Sequence, residues 1–141
     1  MSGVRLAALE AGALSVDEVL AAVADPTAGG LGLFVGVVRD HDGGRPVAGL
    51  TYSAHPSASA ALTKACEQVL VGHDVVAAAA VHRVGELVVG EAAVVVAVSA
   101  AHRAEALAAT TALIDTIKAT VPIWKEQRYL DGSVDWVGVT G

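Results

Sequence analysis

Apolar and polar positions along this chain follow two different periods, and the changes from one to the other lay out its elements. "VRLAALEAG", beginning at residue 4, predicts a first strand. In "SVDEVLAAVAD" the period lengthens to that of a helix. Ser15 stands at the cap and Glu18 follows three residues later, the capping-box pairing that satisfies free backbone donors at a helix start. Pro26 and the glycines at 29 and 30 close that helix. "LGLFVGVVRD" predicts a buried strand ending in charge, "HDGGRP" a flexible loop, and "VAGLTYSAH" the next strand. From Pro56 to about Leu70, apolar residues recur at Ala61, Leu62, Ala65, Cys66, Val69 and Leu70, a helical face with Pro56 in the first turn. "VVAAAAVHRVG" and "AAVVVAVSA" predict two strands joined by "ELVVGE". A second long helix runs from about His102 to Thr120, with Leu107, Thr110, Leu113, Ile114 and Ile117 as its stripe. "RYLDGSVDWVGV" predicts a hairpin around Asp131 and Gly132. The expectation is one α+β domain over residues 1–141, with a mostly antiparallel sheet and two main helices.

Composition narrows the function. A net charge of −6 argues against broad nucleic-acid binding, which needs a basic face. The single cysteine, Cys66, can form no internal disulfide and no zinc cluster, so a reducing, cytoplasmic setting is expected. The N-terminal apolar stretches are interrupted by Glu10, Asp17 and Glu18, unlike a signal peptide, and no apolar run approaches a bilayer span. The five histidines (His41, His55, His73, His82 and His102) show no HxH or HExxH spacing, so no metal site is expected even beside Asp40 and Asp42. "GGLGLFVG" lacks the GK[ST] of a phosphate loop. Cys66 lies on an apolar helical stripe and reads as a core thiol.

The few cations carry the candidate chemistry. Only three lysines occur, and two of them flank "ATVPIW": Lys118 and Lys125. Pro122 would clash with the carbonyl of Lys118 in a continuing helix, so the helix must stop between them. Lys118 alone is accounted for by the helix dipole, worth about 0.3–1 kcal/mol, and Lys125 by solvation at the surface. At the other end of the same helix, His102 and Arg103 oppose the dipole, an arrangement that suits an anion site better than stability. Two side chains simply turned into water is the plain alternative. Arg39 ends an apolar strand beside the glycine-rich loop, where either a site residue or a solubilising end fits.

Three ordered blocks, "FVGVVRDHDGGRPVAGLTYSAHP", "VHRVGELVVGEAAVVVAVSAAHRAEAL" and "IDTIKATVPIWKEQRYLDGSVDWV", together resemble the large, catalytic subunit of molybdopterin synthase, over roughly Leu33 to Val137. The resemblance implies an α/β hammerhead-type fold and a homodimer. Each copy would bind a small ubiquitin-like sulfur-carrier subunit, giving a heterotetramer. It further implies transfer of sulfur from the carrier's C-terminal Gly-Gly thiocarboxylate to cyclic pyranopterin monophosphate, forming the dithiolene of molybdopterin with no further cofactor. Lys118 matches the family's essential lysine and Lys125 its second pocket lysine. Arg39, His102 and Arg103 match its anion-binding residues. Departures fall at Ser53 and His55, in "YSAH", and at Asp40, His41 and Asp42, where the family usually has "NHN"-like residues. These changes are expected to touch the flanking loop and strand rather than the basic residues. Two other readings remain open: a non-catalytic dimeric module binding a ubiquitin-like tail or phosphorylated ligand, and a metal-dependent enzyme.

Overall fold

The computed structural model describes residues 3–138. Its described elements are β1 (Val4–Glu10), α1 (Val16–Val23), β2 (Gly30–Val37), β3 (His41–Asp42), β4 (Arg45–Ala54), α2 (Ala58–Gly72), β5 (Ala77–Arg83), β6 (Gly85–Val88), β7 (Ala92–Ala100), α3 (Arg103–Thr120), β8 (Ile123–Tyr129) and β9 (Val134–Gly138). The expected α+β class holds: two long helices, the short α1, and sheets that are antiparallel apart from the β1–β5 pair.

The first sheet has the order β1-β5-β7-β2. Its two central strands are alanine- and valine-rich and buried on both faces. A continuous apolar run instead of strict alternation is what a doubly covered strand requires. Val19 and Val23 of α1 pack on one face, against Ala77, Ala79, Val95 and Ala97. The Ser15 hydroxyl accepts from the Glu18 amide at 3.1 Å, so the predicted cap forms. On the other face lie α2 and α3, with Leu62, Cys66, Leu113 and Ile117 at the centre of the larger core.

The second sheet has the order β3-β4-β8-β9, and β6 pairs with β4. β6 is an element that the sequence reading treated as connection: four residues, of which only Leu87 is deeply buried, give too little pattern to read. The β8–β9 hairpin forms around Asp131 and Gly132 as expected, with Gly132 at a φ of +89°, the left-handed region that glycine tolerates. The end of the predicted hairpin, Val139, lies outside the described residues.

Two packing expectations are corrected. Leu107 is 56% exposed, and the buried face of α3 runs through Ala106, Ala109, Thr110, Leu113 and Ile117. The helix lies so close to β2 that alanines, not large side chains, make the contact. At Gly32 an added Cβ would fall 2.6 Å from the Ala106 carbonyl oxygen and would also collide with the Thr110 hydroxyl. Pro56 precedes the helix that it was expected to enter, which starts at Ala58. No described helix is long and apolar enough to cross a membrane.

The close approach of α3 to β2 gives a first prediction. Gly32→Ala should lower stability by about 1–3 kcal/mol, since the atoms in the way belong to helix backbone and a buried hydroxyl. Gly12→Ala meets open space and should stay within about 0.5 kcal/mol. Thermal melts of the two variants check the contrast.

Candidate functional site

The last turn of α3 and the first residues of β8 build the site. α3 ends at Thr120, and Val121 donates its N–H to the Ile117 carbonyl at 3.0 Å. Pro122 follows, and the chain turns directly into β8. Alternation along β8 then decides which side chains face inward. Ile123 and Gln127 are buried, and Lys125 lies between them on the same face, half-buried. Trp124 points to the opposite face and is 40% exposed, in edge contact with the His55 ring at a centroid distance of 6.4 Å.

Lys118 and Lys125 line one cavity of about 200 Å³. Its floor includes Ile117 and Val94, and its walls Tyr52 and His82, with Val137 of β9 at the side. Tyr52 is there because β4 and β8 pair with Tyr52 opposite Lys125. Neither lysine has an ion-pair or hydrogen-bond partner among the described residues. Two ammonium groups without a direct ion-pair partner leave this small cavity electropositive although the chain is acidic overall, with Asp42 offsetting part of the charge at Lys125.

A second cleft adjoins the first and shares Tyr52 and Lys125 with it. Arg39 and Asp42 line this cleft. Asp42 stands 3.6 Å from the Arg39 guanidinium and accepts a 2.8 Å hydrogen bond from the Gln127 amide. The same amide donates to the Tyr129 hydroxyl at 3.0 Å, and that hydroxyl donates to Asp135 at 2.9 Å. The Gln127 hydrogen bond, followed by the nearby cations, holds the Asp42 carboxyl below its ordinary value. One of the departures thus does face the matched basic residues: Asp42 puts a fixed negative charge beside Arg39 and Lys125. Ser53 and His55 lie away from the cavity; the His55 ring accepts the Ser57 amide at 3.1 Å in the turn before α2.

The Lys125 ammonium is held below its ordinary value, first by burial and then by Lys118 and Arg39, with Asp42 acting in the opposite sense. Lowered basicity in a cleft suits a lysine that exchanges protons.

The chain does not bring every candidate together. Lys118, Lys125 and Arg39 converge. His102 caps the start of α3 without a side-chain cap bond, and Arg103 is the first helical residue, fifteen positions before Lys118. That is about 22 Å of helix rise, so within one chain the two basic ends of α3 form separate sites. Sequence reasoning also passed over His82 and Tyr52 as site residues. Their signal is a polar ring near the end of a largely apolar strand and a tyrosine two residues before the end of β4.

Against this geometry, a family model described as MoaE protein matches residues 9–120. The chain belongs to the MoaE family. Molybdopterin synthase catalytic subunit 1 of Mycobacterium tuberculosis is 46% identical over 129 residues, covering 89% of this chain and 85% of the relative. The human molybdopterin synthase catalytic subunit is 43% identical over 126 residues, covering 89% of this chain and 66% of its own length. Among solved structures, a molybdopterin synthase chain from Staphylococcus aureus superposes with a TM-score of 0.86 at 28% identity, covering 98% of each chain. A chain from the complex of subunits 1 and 2 of molybdopterin-converting factor from Helicobacter pylori shares the fold, with a TM-score of 0.70 at 20% identity over 96% of this chain and 90% of that one. The hammerhead-type α+β fold implied by the sequence resemblance is thus that of the MoaE structures, and the family's named members are enzymes of molybdopterin synthesis.

The charges around Lys125 give the second prediction. Lys118→Met removes a neighbouring cation and should raise the Lys125 pKa toward 10.5, whereas Asp42→Asn removes the compensating anion and should lower it further. Heteronuclear NMR titration of the lysine side chain reads both. Shifts of the same sign would show that the two charges do not share one cavity with Lys125.

Proposed function

We propose that this chain is the catalytic subunit of a molybdopterin synthase, moving sulfur from a carrier's C-terminal thiocarboxylate to cyclic pyranopterin monophosphate. The observation that carries the reading is the pair of unpartnered lysines, Lys118 and Lys125, on one cavity whose neighbouring cleft holds Arg39. Both reactants are anions, and converging cations in a partly dry cavity bind and orient anions. Lys118 is the charge that holds the thiocarboxylate and the oxyanion formed from its carbonyl. Lys125, with its lowered proton affinity, donates to the oxygen that leaves the pterin side chain. Arg39 holds the phosphate end of the substrate.

The chemistry fixes the order of events. The thiocarboxylate sulfur attacks a side-chain carbon of the pterin, and an oxygen leaves as water. The sulfur now bridges the carrier's acyl carbon and the pterin, a thioester. Water then adds to the acyl carbon, the carbon–sulfur bond breaks with its electron pair going to sulfur, and the carrier departs as a carboxylate. A second carrier repeats the sequence to complete the dithiolene. No thiol of this chain is required. Cys66 is buried, and burial pushes its thiol up to about 12, so it is not a nucleophile at neutral pH.

The partners we propose are the small ubiquitin-like carrier and a second copy of this chain. β2 is the outer strand of its sheet, and Leu31, Leu33, Phe34 and Val37 on it are all at least 39% exposed. An open, apolar edge calls for cover. Pairing β2 antiparallel with its own copy would set Gly30 of one chain opposite Val37 of the other. Gly30 lies against the backbone of His102 and Arg103. A dimer of this kind brings those two residues to the Arg39 cleft of the second copy, which restores the five-residue site that a single chain leaves divided. The setting is the cytoplasm, where a lone free thiol is the ordinary state.

Reconstitution from purified components tests the reading: this chain, thiocarboxylated carrier and the cyclic pterin should yield molybdopterin, and Lys118→Ala should abolish product while keeping the fold. Binding of both reactants without product would favour a non-catalytic docking module. The shared site has its own test. Lys118→Ala and Arg103→Ala should each be inactive alone, but mixed subunits should recover about a quarter of wild-type activity, because half the dimers would carry one intact site. No recovery would put Arg103 outside the partner's site.

Cys66→Ser should keep full activity per folded molecule, at a stability cost of about 1–3 kcal/mol if the new hydroxyl finds no partner. A folded Cys66→Ser chain that binds both reactants but transfers no sulfur would show that the thiol takes part.

A further inference from the structure

His82 occupies a place in the cavity that neither lysine explains. It sits near the end of β5, between β1 and β7, opposite Leu9 and Val94, and is 7% exposed. Its Nδ1 lies 2.7 Å from the Arg83 carbonyl oxygen. A carbonyl only accepts, so Nδ1 carries the proton and Nε2 of the neutral ring carries the lone pair. Nε2 has no hydrogen-bond partner among the described residues, and the residue lines the cavity beside Lys118. The Tyr52 ring meets the imidazole edge-on at a centroid distance of 4.8 Å and fixes its plane. The fold has therefore set the tautomer, locked the ring and left one basic nitrogen free in the wall of the reaction cavity.

The surroundings keep that nitrogen basic and unprotonated at neutral pH. Lys118 from α3, Lys125 from β8 and Tyr52 from β4 line the cavity, and no carboxylate side chain lines it among the described residues. β7 contributes only Val94. Arg83, next in the strand, points to the other face of β5 and pairs with Glu91 at 3.3 Å. Burial and then Lys118 hold the imidazole below its ordinary 6.5, against the opposing pull of the Arg83 carbonyl. A histidine kept only for packing would do as well with its second nitrogen covered.

We propose that His82 is the general base of the release step, accepting through Nε2 a proton from the water that attacks the carrier's acyl carbon. This rests on the synthase reading above. The water oxygen bonds to the acyl carbon as its proton passes to Nε2. The tetrahedral oxyanion sits against the Lys118 ammonium. Its collapse breaks the carbon–sulfur bond, and the electron pair leaves with sulfur. The carrier leaves as a carboxylic acid that gives the second proton of the water to solvent and becomes a carboxylate, the sulfur stays on the pterin as a thiolate, and the imidazolium returns the first proton to solvent. No oxidant or reductant is needed.

Single-turnover mixing of chain, thiocarboxylated carrier and cyclic pterin, followed by mass spectrometry of the carrier, tests the assignment. His82→Gln should form the carrier–pterin thioester at close to the wild-type rate and release it about 10²-fold or more slowly, so the adduct accumulates. The wild-type release rate should fall with acid through a pKa below 6.5, matching the NMR titration of His82, because a base protonated at low pH cannot act. His82→Gln should lack that limb, and imidazole in the buffer should speed release by His82→Ala. Wild-type release by a folded His82→Gln chain, or a wild-type acid limb that does not follow the His82 titration, would overturn the assignment while leaving the synthase reading intact. A wild-type chain that forms neither thioester nor product would overturn the synthase reading itself, and this assignment with it.

Discussion

Pro122 has no backbone N–H, and its ring excludes an α-helical carbonyl at Lys118. α3 therefore stops two residues after the lysine, within the same turn, and the chain passes through Val121 and Pro122 directly into β8. Only seven positions separate Lys118 from Lys125, but one is on a helix and the other on a strand. A continued helix would have carried Lys125 a further two turns along its axis, away from Tyr52. The buried Ile117, Val121 and Ile123 on either side of the proline anchor the junction in the core. The two ammonium groups are thus held together by apolar packing, which makes up for their mutual repulsion.

Charge around the cavity is graded rather than uniformly positive. Lys118 stands without a nearby carboxylate among the described residues, Lys125 feels Asp42 at a distance, and Arg39 has Asp42 at its side. Asp42 is itself tied to Gln127, and through Tyr129 to Asp135, so its carboxylate is a fixed part of the cleft. Arg45, stacked 3.6 Å over the Tyr129 ring, closes the far end of this network. Compensation is therefore greatest at Arg39, partial at Lys125 and least at Lys118 before any anion arrives.

Most of the fold was readable because its periods are clean. The Ser15 cap, the Pro122 stop and the doubly buried β5 and β7 each follow from local chemistry that tertiary contacts then reinforce. Leu107 misled because hydropathy ranks leucine above alanine, while the real contact face of α3 is set by how near the helix lies to Gly32. That distance is a property of two elements far apart in sequence. β6 was too short to show a period. At the site, each cation was visible singly, and the proline showed that Lys118 and Lys125 lie on different elements. Their convergence with Arg39, the intrusion of Asp42 and the free nitrogen of His82 depend on β4–β8 register and on strand facing, which no local pattern encodes. The separation of Arg103 from Lys118 was implicit in the length of one helix, but the resemblance pointed to their joint use.

α3 has one more property, that of a ruler with a phase. Its 18 residues carry basic groups at both ends, and its buried alanines fix its rotation against β2. An α-helix turns about 100° and rises about 1.5 Å for each residue. A single residue inserted between Arg103 and Lys118 would barely change the span, yet it would swing one end a quarter turn out of line with the other. The middle of this helix can therefore exchange many side chains, but its residue count is fixed.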